Sequence, residues 1–259
     1  VITSSHSGNT EETLSAFEAA LERECCILAV TTGGKIAEKA KEHVTGLWQF
    51  EHDGQPRAAV GYSFGLLLAA FSRLGLIPDQ KSEVEEAVKA MEDQQASIQS
   101  QIPLTENPAK TLAAQIQGHW VSVFGAGLLA PVARRWKGQI SEIAKAWAQF
   151  EALPEADHNT LAGVVNPWEN LQKTTAVFLH AESNHPRNQL RIDLTEKGMK
   201  KAGLGTSIVR AQGESRLAQL WTALHLGDYV AFYSAMAYEV DPSPVAAIED
   251  LKRALAAFE

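Results

Sequence analysis

Two rhythms of apolar and polar positions alternate along this chain. Val1 and Ile2 read as the end of a strand. From Thr10 the spacing becomes helical: Thr13, Leu14, Phe17, Ala20 and Leu21 share one face as far as about Arg23. Glu11 and Glu12 fall in the first turn, where the helix dipole favours acids. Cys25 to Thr32 is a continuous apolar run that predicts a buried parallel strand, Gly33-Gly34 a turn, and Lys35 to His43 a short helix. Val44 to Phe50 predicts another strand, closed by the polar turn Glu51 to Pro56. Arg57 then leads into an apolar helix, Ala58 to Leu74. Strands alternating with helices at this spacing imply an α/β sheet with right-handed crossovers.

The stretch Pro78 to Gln101 is charged but carries a helical pattern through Val84, Val88, Met91 and Ile98. It predicts a long surface helix linking two lobes, with Glu83, Glu85 and Glu86 on a solvated face. Pro103 to Asn107 breaks the pattern and Pro108 to Gln117 restarts it. Beyond lies a second alternation: a strand at Trp120 to Phe124, a turn at Gly125-Ala126-Gly127, and a long helix or helix pair from Leu128 to about Phe150. Strands are expected at Thr174 to Ala181 and Thr206 to Ala211, a helical or mixed segment at Pro186 to Ala202, and helices at Ser215 to Tyr238 and Val245 to Phe258. Prolines at Pro242 and Pro244 suit the start of that last helix.

Composition narrows the class. At 45% apolar and 21% charged residues the chain is globular, and 259 residues allow one large domain or two lobes. A net charge of −8, without any Lys/Arg run, argues against nucleic acid as a partner. No apolar run is long enough to span a membrane. Cys25 and Cys26 are adjacent in a predicted strand and would point to opposite faces, which disfavours a disulfide or a shared metal. Buried reduced thiols in a cytosolic protein are expected. Val1 stands inside a strand, without methionine, where a doubly wound domain would place another strand–helix unit first. The first lobe is therefore expected to be incomplete.

The candidate chemistry lies in two regions. Between the first strand and first helix runs Ser5-His6-Ser7-Gly8-Asn9-Thr10. Unpaired N–H groups and the positive dipole end face such a junction, and Ser5, Ser7 and Thr10 add hydroxyls, a setting for a phosphate monoester. An ordinary helix start with Ser7 or Asn9 as N-cap is the plainer alternative. The second region runs from Arg134 to Gly163. Glu142 lies on a helix with Ile140, Ile143 and Trp147, as a general base requires, or else is a surface carboxylate paired with Lys145 or Lys137. His158, between Asp157 and Asn159, suits acid–base work or a plain surface position. Arg57 is either an anion-facing cation or a solvated helix-end charge. Gly125-Ala126-Gly127-Leu128-Leu129-Ala130 matches a dinucleotide fingerprint, but no acid caps a second strand at the required distance. The glycines are better read as close-packing residues of a strand–helix turn. No metal cluster with convincing spacing is visible; His180 and His185 lack a third partner.

The string Ser5-x-Ser7-Gly8-Asn9-Thr10-x-Glu12-Thr13 resembles the sugar-phosphate loop of SIS (sugar isomerase) domains. Arg135-x-Lys137-x-Gln139-x-x-Glu142-x-x-Lys145, followed by Leu153-Pro154-Glu155-x-x-His158-Asn159, is similar to the bifunctional phosphoglucose/phosphomannose isomerase family, a dimeric branch of that superfamily. Pro56-Arg57 before Gly61-Tyr62-Ser63-Phe64-Gly65, and Val240-Asp241-Pro242 ahead of Ile248-x-x-Leu251-Lys252, agree with it. The resemblance implies two SIS-type lobes, each a mainly parallel sheet in three αβα layers: residues 1–77, a helical linker at 78–107, and residues 108–259. It implies cofactor-free and metal-free interconversion of glucose 6-phosphate, and of mannose 6-phosphate, with fructose 6-phosphate in a cytoplasmic homodimer. By the same resemblance Ser5, Ser7 and Thr10 hold the phosphate, Arg57 stabilises the enediolate, and Glu142 moves the proton. His158, supplied to the partner's site, opens the ring, and Lys252 assists. A non-catalytic phosphosugar sensor, which needs the loop but no base, is the alternative. His6 stands where the family pattern has an aromatic, usually tyrosine.

Overall fold

The computed structural model describes residues 1–258. Two compact units divide it, Val1–Gln80 and the chain from Lys81 onward.

The first unit is built on three parallel strands in the order β1 (Ile2–Ser4), β2 (Leu28–Thr31), β3 (Gly46–Gln49). Between them run α1 (Glu11–Glu22) and α2 (Gly34–Glu42), and after them α3 (Val60–Arg73). Phe17 and Ala20 of α1 and Ile36 and Ala40 of α2 pack with Ile27 and Ala29 into one apolar cluster, as the helical spacing required. One expectation is corrected. β2 begins at Leu28, not Cys25, because Glu24 takes the left-handed conformation (φ 54°) and closes α1. The N–H groups of Glu24 and Cys25 donate to Leu21 and Ala20 carbonyls, the Schellman pattern, so they cannot join a ladder. Cys25 is half-buried and Cys26 exposed; the thiols are not core residues.

The second unit holds α4 (Lys81–Ile98), α5 (Pro108–Ile116), β4 (Trp120–Ala126), α6 (Ala130–Ile143), β5 (Ala148–Leu153), α7 (Glu155–His158) and α8 (Trp168–Leu171). β6 (Thr174–His180), α9 (Pro186–Lys201), β7 (Gly205–Arg210), α10 (Arg216–Ala237) and α11 (Ala246–Ala256) complete it. Its sheet is parallel throughout, in the order β5-β4-β6-β7. The β4–β5 and β6–β7 connections step in opposite directions, so right-handed crossovers place α6 and α9 on opposite faces. Phe124 stacks on Phe178 at 4.7 Å, and both pack against Ile192 and Met199 of α9. On the other side the Trp136 indole donates to the Ala223 carbonyl of α10 at 2.8 Å, over Gly227, where any Cβ would strike the ring.

Three further expectations change here. The stretch expected as helix to Phe150 contains the edge strand β5; α6 stops because Lys145 adopts φ 54°, and the chain turns back beside β4. The helix expected on the surface between lobes, α4, buries Ala87, Gln94 and Ile98 within the second unit. There Gln94 Oε1 meets His225 Nδ1 at 2.9 Å and the Tyr233 hydroxyl donates to the Ile98 carbonyl. Glu86, expected to be merely solvated, accepts the backbone N–H groups of Glu214 and Ser215 at 3.0 Å each, just ahead of α10. Those bonds hold its carboxyl below the usual carboxylate range. No described helix is long and apolar enough to cross a membrane.

Candidate active site

In the first unit the β1–α1 loop is held by its neighbour after β2. Gly8 has φ 67°, and a Cβ there would lie 1.8 Å from the Gly33 carbonyl oxygen, so only glycine fits. The Gly8 carbonyl accepts the Ile36 N–H, and Asn9 Oδ1 accepts the Lys35 N–H at 3.1 Å, which ties the loop to the start of α2. The N-cap of α1 is Thr10, without a side-chain cap bond, so neither Ser7 nor Asn9 serves as the N-cap of α1. Ser5 is buried; its Oγ accepts the Gly8 N–H at 3.1 Å and lies 2.8 Å from Thr10 Oγ1. One proton of that hydroxyl pair is spent on their mutual bond, and the other remains for an acceptor. Ser7 Oγ is exposed and accepts the Asn9 N–H at 3.3 Å. Ser5 and Thr10 are thus brought together directly, and Ser7 lies in the same turn.

Arg57 is half-buried in a 3₁₀ turn, Pro56–Ala58, that precedes α3 rather than belonging to it. The turn before it carries His52, whose Nδ1 lies 2.9 Å from Nε2 of His6. Edge contacts from His6 to Phe50 and His52, and a stack of Phe50 on Tyr62 at 5.1 Å, build an aromatic wall beside the serine loop. Burial, then the neighbouring His52, pushes the His6 pKa down.

In the second unit Glu142 is half-buried near the end of α6. It lies seven residues beyond Arg135 and three beyond Gln139, on the helix face turned to α10. There Arg135 and Gln139 both donate to the Asp228 carboxylate at 2.8 Å. Lys145 sends its ammonium to main-chain carbonyls, that of Glu142 among them at 2.5 Å. His158 is exposed at the end of α7, whose Asp157 accepts from the Thr195 hydroxyl at 2.6 Å and pairs with Arg191. Lys252 is exposed on α11.

The glycine fingerprint after β4 is closed by a side chain. Asn184 Oδ1 accepts the Leu128 N–H, its amide donates to the Ala126 carbonyl, and a Cβ on Gly127 would meet Oδ1 at 2.7 Å. A pyrophosphate would need that space. Among the described residues no group of three or more His, Cys, Asp or Glu side chains is placed to hold a metal ion.

Residues 105–255 match the family described as the bacterial phospho-glucose isomerase C-terminal SIS domain. A relative from Caldicellulosiruptor bescii named bifunctional phosphoglucose/phosphomannose isomerase is 40% identical over 99% of this chain and 76% of its own length. One of the same name from Aquifex aeolicus is 36% identical over 97% of this chain and 74% of its own. The chain belongs to the bifunctional phosphoglucose/phosphomannose isomerase family. The resemblance drawn from its separated motifs is borne out. The fold agrees with the crystal structure of a glucose-6-phosphate isomerase like protein from Thermus thermophilus: the TM-score is 0.67, over 98% of this chain and 86% of that one, at 19% identity.

Several residues that shape the candidate site leave no clear signal in the sequence. His52 and Tyr62 were part of a polar turn and an apolar helix, and only the packing of His52 against His6, and of Tyr62 against Phe50 and His52, marks them. Asp228 sits in a helix too apolar for one acid to stand out. Nothing in its local spacing signals a partner 93 residues away.

Proposed function

We propose that this protein interconverts glucose 6-phosphate, and mannose 6-phosphate as well, with fructose 6-phosphate through an enediol intermediate. The observation that carries this is 40% identity over 99% of the chain to a relative that bears the name of that activity. Family membership favours catalysis over a non-catalytic phosphosugar sensor, since the relatives bear an enzyme's name.

In this reading the two sheets are two SIS-type lobes. Ser5, Ser7 and Thr10 grip the phosphate with hydroxyl and N–H donors at the start of α1, far from the reacting carbons, so remote binding energy holds the sugar. Glu142 takes the C2 proton of the open aldose as the C1 carbonyl becomes a hydroxyl, then returns a proton to C1 as C2 becomes the carbonyl. Arg57 is the fixed cation beside the enediolate oxygens. His158 of one subunit opens the sugar ring in its partner's site, with Lys252 assisting. The buried Ser5 hydroxyl, already oriented by the Gly8 N–H, supports the phosphate role. The half-buried place of Glu142, on the helix face that Asp228 pins, supports that of a base. The chain acts as a homodimer in the cytoplasm, on phosphorylated sugars.

The test is a coupled assay with glucose 6-phosphate and mannose 6-phosphate as separate substrates and fructose 6-phosphate as product. Turnover of both is expected. Saturable binding of either sugar phosphate without any turnover would favour the sensor.

A further inference from the structure

We propose that Lys145 is a positioning residue that sets where Lys252 stands relative to Glu142. Its ammonium donates to three main-chain carbonyls: Glu142 at 2.5 Å, Pro244 at 2.6 Å and Pro242 at 3.3 Å. One acceptor belongs to the end of the helix that carries Glu142; the other two lie 97 and 99 residues away, in the turn that leads into α11.

A lysine at a helix C-terminus ordinarily needs only the carbonyls of its own helix. Here the side chain reaches past them, and it does so from a solvent-exposed residue in a left-handed conformation, φ 54°, that disfavours a side chain. The turn it grips is stiff. Pro242 and Pro244 fix their own φ, and Asp241 Oδ1 accepts the Ser243 N–H at 2.8 Å, which presents both carbonyls to the ammonium. Immediately beyond, the N–H groups of Ile248 and Glu249 bond the Val245 carbonyl and start α11. No residue of α11 is fully buried, and the clasp at its entry ties that helix to the end of α6. Lys145 thereby couples the end of α6 to the segment that carries Lys252.

This role presupposes the assignments of Glu142 and Lys252 proposed above, and a double-variant cycle separates the two. Lys145→Gln, Lys252→Gln and the pair are assayed for kcat and KM with fructose 6-phosphate. Lys145→Gln should lower kcat by about 10- to 100-fold, as displacement of a reacting group does, with KM within about twofold because the serine loop is untouched. The double variant should match Lys252→Gln within about twofold. Asp241→Ala loosens the turn without altering α6 and should give the same loss, again absent in the Lys252→Gln background; it stands in if Lys145→Gln fails to fold. Full kcat in Lys145→Gln, or effects that multiply in the double variant, would overturn the clasp alone. Full kcat in Lys252→Gln would overturn both the clasp and the role of Lys252.

Discussion

Replacement of Gly8 by alanine probes the serine loop more sharply than loss of any hydroxyl. The backbone there sits at φ 67°, where a side chain costs roughly 1–2 kcal/mol. The added Cβ would lie 1.8 Å from the Gly33 carbonyl oxygen, about 1.6 Å short of ordinary contact at 3.4 Å. That carbonyl is backbone, bonded by the Thr31 hydroxyl at 2.9 Å, so it cannot step aside without breaking the turn into α2. Overpacking of this kind adds about 1–3 kcal/mol. The sum, about 3 kcal/mol, corresponds to a Tm lower by about 6–12 °C in a chain of this size. The same shift moves the Gly8 N–H off Ser5 Oγ and spoils the proposed phosphate site, so KM for a hexose 6-phosphate should rise at least about tenfold, one broken hydrogen bond to a charged group. Thermal unfolding followed by circular dichroism, with a coupled assay on the folded variant, reads both effects. Gly65→Ala is the control. It lies in α3 with nothing within 4 Å of the added carbon, and should be neutral or stabilising by up to about 1 kcal/mol. A Gly8→Ala protein with unchanged Tm and unchanged KM would refute the interlocked loop.

Two other perturbations reach the second unit. Asp228→Ala leaves Arg135 and Gln139 without their shared acceptor, and should cost about 1–3 kcal/mol in denaturant unfolding, with Asp228→Asn costing less; an Asp228→Ala protein as stable as the parent would show that these bonds add nothing to the α6–α10 contact. Burial holds His225 and His180 below the ordinary histidine value of 6.5, and burial followed by His52 does the same for His6. Unfolded, these rings take up protons that the folded rings resist, so stability is present above about pH 6.5 and is lost as pH falls from there toward the lower folded values. Tm should drop between about pH 7.5 and 5.5, and drop less in His225→Gln; a Tm that rises on acidification would contradict this.

How legible the molecule was depended on where the information sits. The serine loop and the parallel strands were readable because their signals are local: glycine at the loop, helical spacing from Thr13 to Leu21, apolar runs at β4 and β6. The edge strand β5 was hidden because the helix before it is ended by Lys145 in a conformation usually left to glycine, so no breaker residue marks the stop. Cys25 looked like strand because its neighbours are apolar, yet its N–H is used to close α1. The place of α4 rests on tertiary partners far along the chain: those of Glu86 lie 128 and 129 residues further on, and those of Gln94 and Ile98 lie 131 and 135 further on. Of the candidate site, residue types and motif order were legible. The pairing of Ser5 with Thr10, the His6–His52 contact and the reach of Lys145 are tertiary and leave no trace in spacing.

Glu142→Gln offers the most direct measurement. The amide keeps the shape of the side chain but cannot carry a proton between C1 and C2. Turnover of fructose 6-phosphate should fall by about 10²- to 10⁴-fold, while a phosphorylated five-carbon sugar acid, a mimic of the enediolate, still binds. Turnover equal to that of the parent protein would show that some other group moves the proton, and the assignment of the active site would fall with it.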